Sequence, residues 1–436
     1  MKRFALKALP AALLLTTALS AQALTPGSGT WVKETATYGT PNLQDAYVYV
    51  PSNAAPAVKN GKRALMLTLH GCAQTASGNV INKKFNWETT AEQYGMVVVA
   101  PTVPSGTSST RSVSGCWDWF GSNHTRSTRD EGVLLKLIDS VKARANLDID
   151  PNQIYVTGLS SGGGLAADLL CVAPDYFAGV GLNAAPVFNT PSSAGVGSKN
   201  TQTATQIANN CRTAAGSYAS AFATQVTSVV NGTSDSIVDP THDQGNEDGM
   251  KALYGANTNA GTFTETNSTG RLWSDANGKV RVSRVQATSM GHAWPAGAGG
   301  SGGGMYVDYT HVNYPVYVTK FFFDNNLRVV DGGTTTTTTA ATTTTTAAGT
   351  TTTATATTTT ATATTTTTAT TTTTTTAGAC FNASNYAHVS AGRAYASGGY
   401  AYANGSAQKM GMYNTFYTSK LRQTGTNYYV IDSTCP

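Results

Sequence analysis

The segment from Thr334 to Ala377 limits the possible folds most. It consists of threonine and alanine with a single glycine, and it holds no charge and no aromatic ring. A stretch of that kind has no apolar periodicity and cannot bury a core. Threonine is a poor helix former, so the sequence predicts a disordered, extended linker over residues 334–377. The linker divides the chain into a large body, residues 24–333, and a small one, residues 378–436. The large body has ample length for one substantial core. The small one does not, and a domain of that size usually needs a covalent staple. Cys380 and Cys435 bracket it almost end to end, so they are expected to pair with each other.

The N-terminus decides which residues reach the mature protein. Lys2 and Arg3 precede an apolar run from Ala5 to Leu19, and Ala21-Gln22-Ala23 offers small residues for cleavage. Residues 1–23 therefore read as a secretory signal peptide. The run is too short for a convincing membrane span, and no later segment is apolar enough for one. The expectation is a secreted, extracellular chain with no membrane partner. Six cysteines follow the cleavage site, an even number that suits disulfides in an exported protein. No CxxC pair occurs, which argues against a zinc site, and neither a metal nor a cofactor is expected. Four cysteines remain for the large body. Pairing Cys72 with Cys116 and Cys171 with Cys211 is one arrangement among those the sequence leaves open. Charged residues make up only 12%, and the net charge of +5 is not gathered into a run. Binding to nucleic acid would need a denser basic face. A monomer is expected.

Within the large body, short apolar runs alternate with helical patterns. Residues 64–69 and 96–100 read as buried strands, as do 154–157, 227–230 and 280–285. Residues 131–145 carry Val133, Leu134, Leu137, Ile138 and Val141 at helical spacing, and a second helix is expected from Ser161 to Cys171. This alternation predicts an α/β domain built on a mainly parallel sheet.

The pattern G-x-S-x-G occurs at both Ser160 and Ser301, which is unsurprising in a chain with 44 glycines. Context separates the two. Ser160 follows a β-branched strand and opens a helix, the sharp turn that lifts a hydroxyl above a sheet edge. Ser301 lies in a run of glycines with no strand before it and reads as a flexible loop. A serine nucleophile needs a base, and the base needs an orienting carboxylate, following in the order Ser, Asp, His on such a fold. His292, in Gly291-His292-Ala293-Trp294-Pro295, sits in a turn-rich loop after the strand 280–285. His311 is the second choice, while His124, His242 and His388 read as ordinary surface histidines. Asp235 lies just past the strand 227–230, and Asp239, four residues on, could take its place. The oxyanion of a tetrahedral intermediate needs preorganised N–H donors. The candidates are the backbone N–H groups of Ser161, directly after the nucleophile, and Cys72, in His70-Gly71-Cys72-Ala73-Gln74. His70 is expected to shape that loop rather than act as a base.

Taken together, the segments 70–74, Cys116-Trp117-Asp118-Trp119-Phe120, Gly158 to Gly163 and Gly291 to Pro295 resemble the extracellular poly(3-hydroxybutyrate) depolymerases. The resemblance extends over the catalytic body, the Thr-rich linker and the small C-terminal body. It implies an α/β-hydrolase fold, a triad of Ser160, Asp235 and His292, and Cys72 in the oxyanion hole. Trp117, Trp119 and Trp294 are candidates for lining the substrate cleft, with buried packing the alternative for each. The alternative function is a feruloyl or acetyl esterase carrying a carbohydrate-binding module.

The small body holds eight tyrosines between Cys380 and Cys435, together with Phe381 and Phe416. That is more aromatic surface than so small a core can bury. It is expected to be a substrate-binding domain that adsorbs to an insoluble polyester granule, although for any single tyrosine packing is the simpler reading.

Overall fold

A computed structural model describes residues 24–105, 115–329, 379–397, 400–412, 418–425 and 427–435. The segment read as a signal peptide and the Thr-rich tract lie outside the described residues. Two compact units account for the rest.

The larger unit is organised by a ten-stranded sheet. Its strands are β1 (Trp31–Lys33), β2 (Ala46–Tyr49), β3 (Arg63–Leu69), β4 (Val97–Pro101), β5 (Ile149–Leu159), β6 (Gly179–Asn183), β7 (Val226–Gly232), β8 (Thr258–Glu265), β9 (Ser268–Ser274) and β10 (Val280–Ala287). Their order is β1-β2-β4-β3-β5-β6-β7-β10-β9-β8. The middle six, from β4 to β10, pair in parallel, and the two strands at each edge run antiparallel. Every residue of β3, β4, β6 and β7 is buried. Continuous apolar runs are what a strand needs when helices cover both faces of its sheet.

Successive side chains of these strands enter two separate cores, as the pleat requires. Leu65, Leu67, Leu69, Val97, Val99 and Val156 point to one. That face is covered by the helices Arg129–Lys142 and Ser161–Val172, whose Leu134, Leu137, Ile138, Leu165 and Leu169 are fully buried. Met66, Val98, Ala100, Tyr155 and Leu159 point the other way, against the helices Trp87–Tyr94 and Tyr314–Asn325. The architecture is a three-layer α/β-hydrolase.

Three disulfides close Cys72 to Cys116, Cys171 to Cys211, and Cys380 to Cys435. Among the described residues, no helix is long and apolar enough to cross a membrane.

Among its described residues the smaller unit has two three-stranded antiparallel sheets and a short helix, Asn385–Ser390. One sheet is formed by Cys380–Ser384, Thr418–Gly425 and Tyr428–Ile431, the other by Ala394–Ser397, Tyr400–Ala403 and Lys409–Met412. Among its described residues the apolar core consists of Ala394, Ala401, Ala403, Met410, Leu421 and Tyr429. Tyr395 and Tyr428 stay exposed, and Tyr395 stacks on its cross-strand partner Tyr402 at 5.5 Å. The tyrosines thus divide between packing and surface.

The three histidines expected at the surface are instead buried. His242 accepts the Val187 N–H at Nδ1, 3.2 Å away, and Nε2 faces the carbonyls of Gly195 and Ser198. His388 accepts from Arg393 Nε and places Nε2 2.8 Å from the Ser419 carbonyl. His124 lies against Glu131 and Asp168, all three side chains being fully inaccessible. A single histidine on a short polar segment gives no periodicity from which burial could be read.

The trio of His124, Glu131 and Asp168 brings its ligating atoms within 4.8 Å of one another, close enough to suggest a metal site. Arg129 Nη1, however, reaches His124 Nε2 at 2.9 Å. An arginine can only donate, and Arg129 Nη2 also satisfies the Phe120 carbonyl that lies 3.3 Å from Nε2, so Nε2 accepts and the proton sits on Nδ1, facing the carboxylates. That nitrogen then has no lone pair for a cation. Burial, with the charge of Glu131 beside it, pushes the Asp168 carboxyl well above its ordinary range. In this arrangement the Nδ1 proton faces both carboxylates.

Candidate active site

The C-terminal ends of β3, β5, β7 and β10 deliver the chemistry to one edge of the sheet. At the end of β5, Ser160 adopts φ 57° and ψ −118°, a strained conformation for a residue other than glycine, and the helix Ser161–Val172 starts directly after it. Its N–H donates to the Asn183 carbonyl at 2.9 Å, and its own carbonyl accepts the Gly164 N–H. The flanking glycines are required by close approach. A Cβ on Gly158 would stand 2.3 Å from the Gly162 carbonyl oxygen, and one on Gly162 would stand 2.4 Å from the oxygen of His70.

Asp235 follows β7 and is fixed on both oxygens. Oδ1 accepts the N–H groups of Ile237 and Val238 at 2.8 and 3.1 Å. Oδ2 lies 2.8 Å from His292 Nδ1, with the aspartate side chain 1% and the histidine 6% exposed. Asp239 is employed elsewhere. It caps the helix Pro240–Tyr254 by accepting the Thr241 N–H at 2.9 Å and the Thr241 hydroxyl, the latter bond coming first among the causes that lower its pKa. His311 is also engaged at both nitrogens, with Asp308 at 2.7 Å and the Thr288 carbonyl at 2.9 Å.

Ser160 and His292 both line a cavity of about 150 Å³, together with Gly71, Cys72, Ser161 and Trp119. The loop after β3 forms its far wall. In that loop the Gly71 N–H is taken by Gln74 Oε1 at 2.7 Å, and Gln74 Nε2 donates to the Met305 carbonyl. His70 is wholly buried beneath it. Nε2 accepts the Val103 N–H at 3.1 Å, so Nδ1 holds the proton and donates to the Gly71 carbonyl at 2.7 Å. Burial lowers the His70 pKa to about 4. The Cys72–Cys116 bond fastens this loop to the segment that carries Trp117 and Trp119.

That His70 shift has a measurable consequence. Its folded-state pKa lies below the unfolded value near 6.5, so the unfolded chain binds the extra proton first. The contribution to stability is present above about pH 6.5 and is lost as pH falls towards 4, reaching about 3 kcal/mol. Denaturant titrations across that window are expected to show this loss in the wild type and a shallower slope in His70→Gln.

The three tryptophans separate. Trp119 borders the cavity, whereas Trp117 and Trp294 do not line it, which corrects their expected place in the cleft. Both are fully buried. Trp117 Nε1 donates to the His70 carbonyl at 2.9 Å and so braces the loop after β3. Trp294 stacks on Phe85 at 4.5 Å and donates to its carbonyl. An indole rich in contact area fills a core as readily as it lines a cleft, and its neighbours in sequence do not distinguish the two. Conversely, Val196, Ile237 and Tyr306 line the cavity without having been singled out. No motif marks them, and Tyr306 sits beside the glycine run that reads as a flexible loop.

The sequence model of the family described as Esterase PHB depolymerase matches residues 46–263. A poly(3-hydroxybutyrate) depolymerase from Ralstonia pickettii is 40% identical over 334 residues, which is 74% of this chain and 67% of the relative. A poly(3-hydroxyalkanoate) depolymerase C from Paucimonas lemoignei is 34% identical over 34% of this chain and 32% of its own length. A bifunctional acetylxylan esterase/xylanase from Neocallimastix patriciarum is 35% identical over 28% of this chain and 15% of its own. With a match that spans half the sequence and a relative that spans most of it, this chain, a carboxylic ester hydrolase, belongs to the Esterase PHB depolymerase family.

Proposed function

We propose that the protein is a secreted serine esterase that hydrolyses solid poly(3-hydroxybutyrate), or a related short-chain polyhydroxyalkanoate, through an acyl-enzyme on Ser160. The observation that carries this reading is the Ralstonia pickettii relative, which is matched along three quarters of the chain where the acetylxylan esterase is matched along little more than a quarter.

In the proposed reaction Ser160 Oγ attacks the ester carbonyl carbon, and its proton passes to His292 Nε2. Asp235 supports this by holding Nδ1–H, which leaves Nε2 as the accepting nitrogen. The carbonyl oxygen becomes an oxyanion facing the N–H groups of Ser161 and Cys72. The Ser161 donor is supported by its place at a helix N-terminus, and the Cys72 donor by the prior engagement of the Gly71 N–H. The C–O bond then breaks, and the leaving oxygen takes the proton from His292 as a hydroxyl-ended fragment departs. Water, deprotonated by His292, attacks the acyl carbon, and the bond from that carbon to Ser160 Oγ then breaks, Oγ taking the proton back from His292 as the acid leaves.

The C-terminal unit is assigned the role of holding the enzyme on the granule. Support comes from its exposed Tyr395 and Tyr428 and from the small apolar core of its described residues. Tethering raises the local ester concentration without any new contact in the cavity. The test is clearing of a poly(3-hydroxybutyrate) granule suspension by the full chain and by a version ending at residue 333. Truncation is expected to spare hydrolysis of a soluble ester and to slow clearing by about tenfold or more. Equal clearing by both forms would remove the role given to the C-terminal unit.

A further inference from the structure

Five large apolar side chains are exposed among the described residues of the catalytic unit: Val32, Tyr218, Ile237, Met305 and Tyr306. Val32 lies on the edge strand β1, and Tyr218 is covered by the Arg126 guanidinium at 3.9 Å. Two of the other three border the cavity, and the third is tied through its backbone to the loop after β3 that walls it. Ile237 and Tyr306 line the cavity, and Met305, 55% exposed, directly precedes Tyr306. Single exposed apolar residues are ordinary, whereas a group of them at the rim of a site marks a surface that is covered in use.

The rim is built rather than incidental. Tyr306 takes φ +59°, a conformation that an aromatic residue adopts only where its surroundings impose it. Its carbonyl accepts the Trp294 N–H at 2.8 Å, while the Met305 carbonyl accepts from Gln74 in the loop after β3. So held, the Tyr306 ring stands edge-on to His292, with centroids 5.5 Å apart and planes at 77°. Among the described residues, no Asp, Glu, Lys or Arg lines the cavity behind it.

We infer that Ile237, Met305 and Tyr306 form an apolar lip that seats the cavity on the polyester surface itself, separately from the C-terminal unit. The inference rests on the polyester reading proposed above. A soluble ester enters the cavity alone. An ester within a packed solid arrives with its neighbouring chains, and those neighbours must lie against whatever rims the opening. A lip without charge fits a solid made of methyl, methylene and ester groups, since a charged group pressed there would lose its water with no partner in return.

Met305 tests this, because it is on the lip and outside the cavity lining. In the full chain, Met305→Glu is expected to leave turnover of a soluble short-chain ester within about twofold and to slow granule clearing by about tenfold. Met305→Leu is expected to clear granules as the wild type does. Clearing by Met305→Glu at the wild-type rate would overturn the lip, as would an equal loss on the soluble ester, which would place the effect inside the cavity. A wild-type dimer in sedimentation that Met305→Glu dissociates would assign the patch to a second copy of the chain instead. Wild-type enzyme that turns over the soluble ester but leaves granules intact would remove the polyester reading and the lip with it. Wild-type clearing shared by Met305→Glu would remove the lip alone.

Discussion

Ser160→Ala is expected to lower turnover of a soluble ester by roughly 10⁶-fold, and Ser301→Ala to leave it unchanged. Both serines satisfy the same five-residue pattern, so the pair of variants isolates what the fold adds to it. Ser160 is held at φ 57° between a buried strand and a helix N-terminus, facing a cavity shared with His292. Ser301 is exposed, its N–H donating to the Lys83 carbonyl at 3.0 Å and its own carbonyl accepting from the Tyr309 hydroxyl. It has an ordinary loop's backbone contacts. A fluorophosphonate probe is expected to label the wild type and Ser301→Ala to equal extent and to leave Ser160→Ala unlabelled. Labelling that survives in Ser160→Ala would move the nucleophile elsewhere.

Asp235→Asn is expected to cost on the order of 10⁴-fold in kcat, and the reason is geometric. Two backbone N–H groups already point at one oxygen of this side chain. An asparagine must therefore place its carbonyl oxygen there and turn its NH₂ towards His292. The imidazole then has to accept at Nδ1 and carry its proton on Nε2, where it can no longer take one from Ser160. Asp239→Ala, by contrast, removes only a helix cap. It is expected to lower stability by about 1 kcal/mol and to leave kcat within about twofold. Steady-state kinetics on a soluble ester, paired with thermal unfolding of the same two variants, separates the outcomes. A large kcat loss in Asp239→Ala would reverse the assignment.

The parts of this fold that could be read in the sequence are those where burial leaves an uninterrupted apolar run. Strands β3, β4, β5, β7 and β10 fall where such runs lie, with β5 extending back to Ile149. The edge strand β8 has no apolar run because it is almost wholly exposed apart from Phe263, which stacks on Tyr317, while β2 and the glycine-interrupted β6 are too short to stand out. The same distinction separates the site residues. Ser160, Asp235 and His292 stand at the ends of legible strands, and chain order suggested them. Tyr306 and Ile237 reach the cavity only through loop geometry, and Trp294 shares a motif with His292 yet turns into the core. Side chains two residues apart in a turn can face opposite ways, and no spacing rule records which.

The order of strands across the sheet bears on when the protein becomes active during its own assembly. The first four parallel strands, β4-β3-β5-β6, occupy adjacent places and already contain the turn at Ser160. Asp235 follows β7, and His292 arrives only after β10 has docked beside it. A nascent chain that has completed the serine turn therefore still lacks both partners of the hydroxyl. Under the proposed triad, turnover requires the last parallel strand, so defects that loosen β10 are expected to yield a protein with an intact serine turn and no turnover.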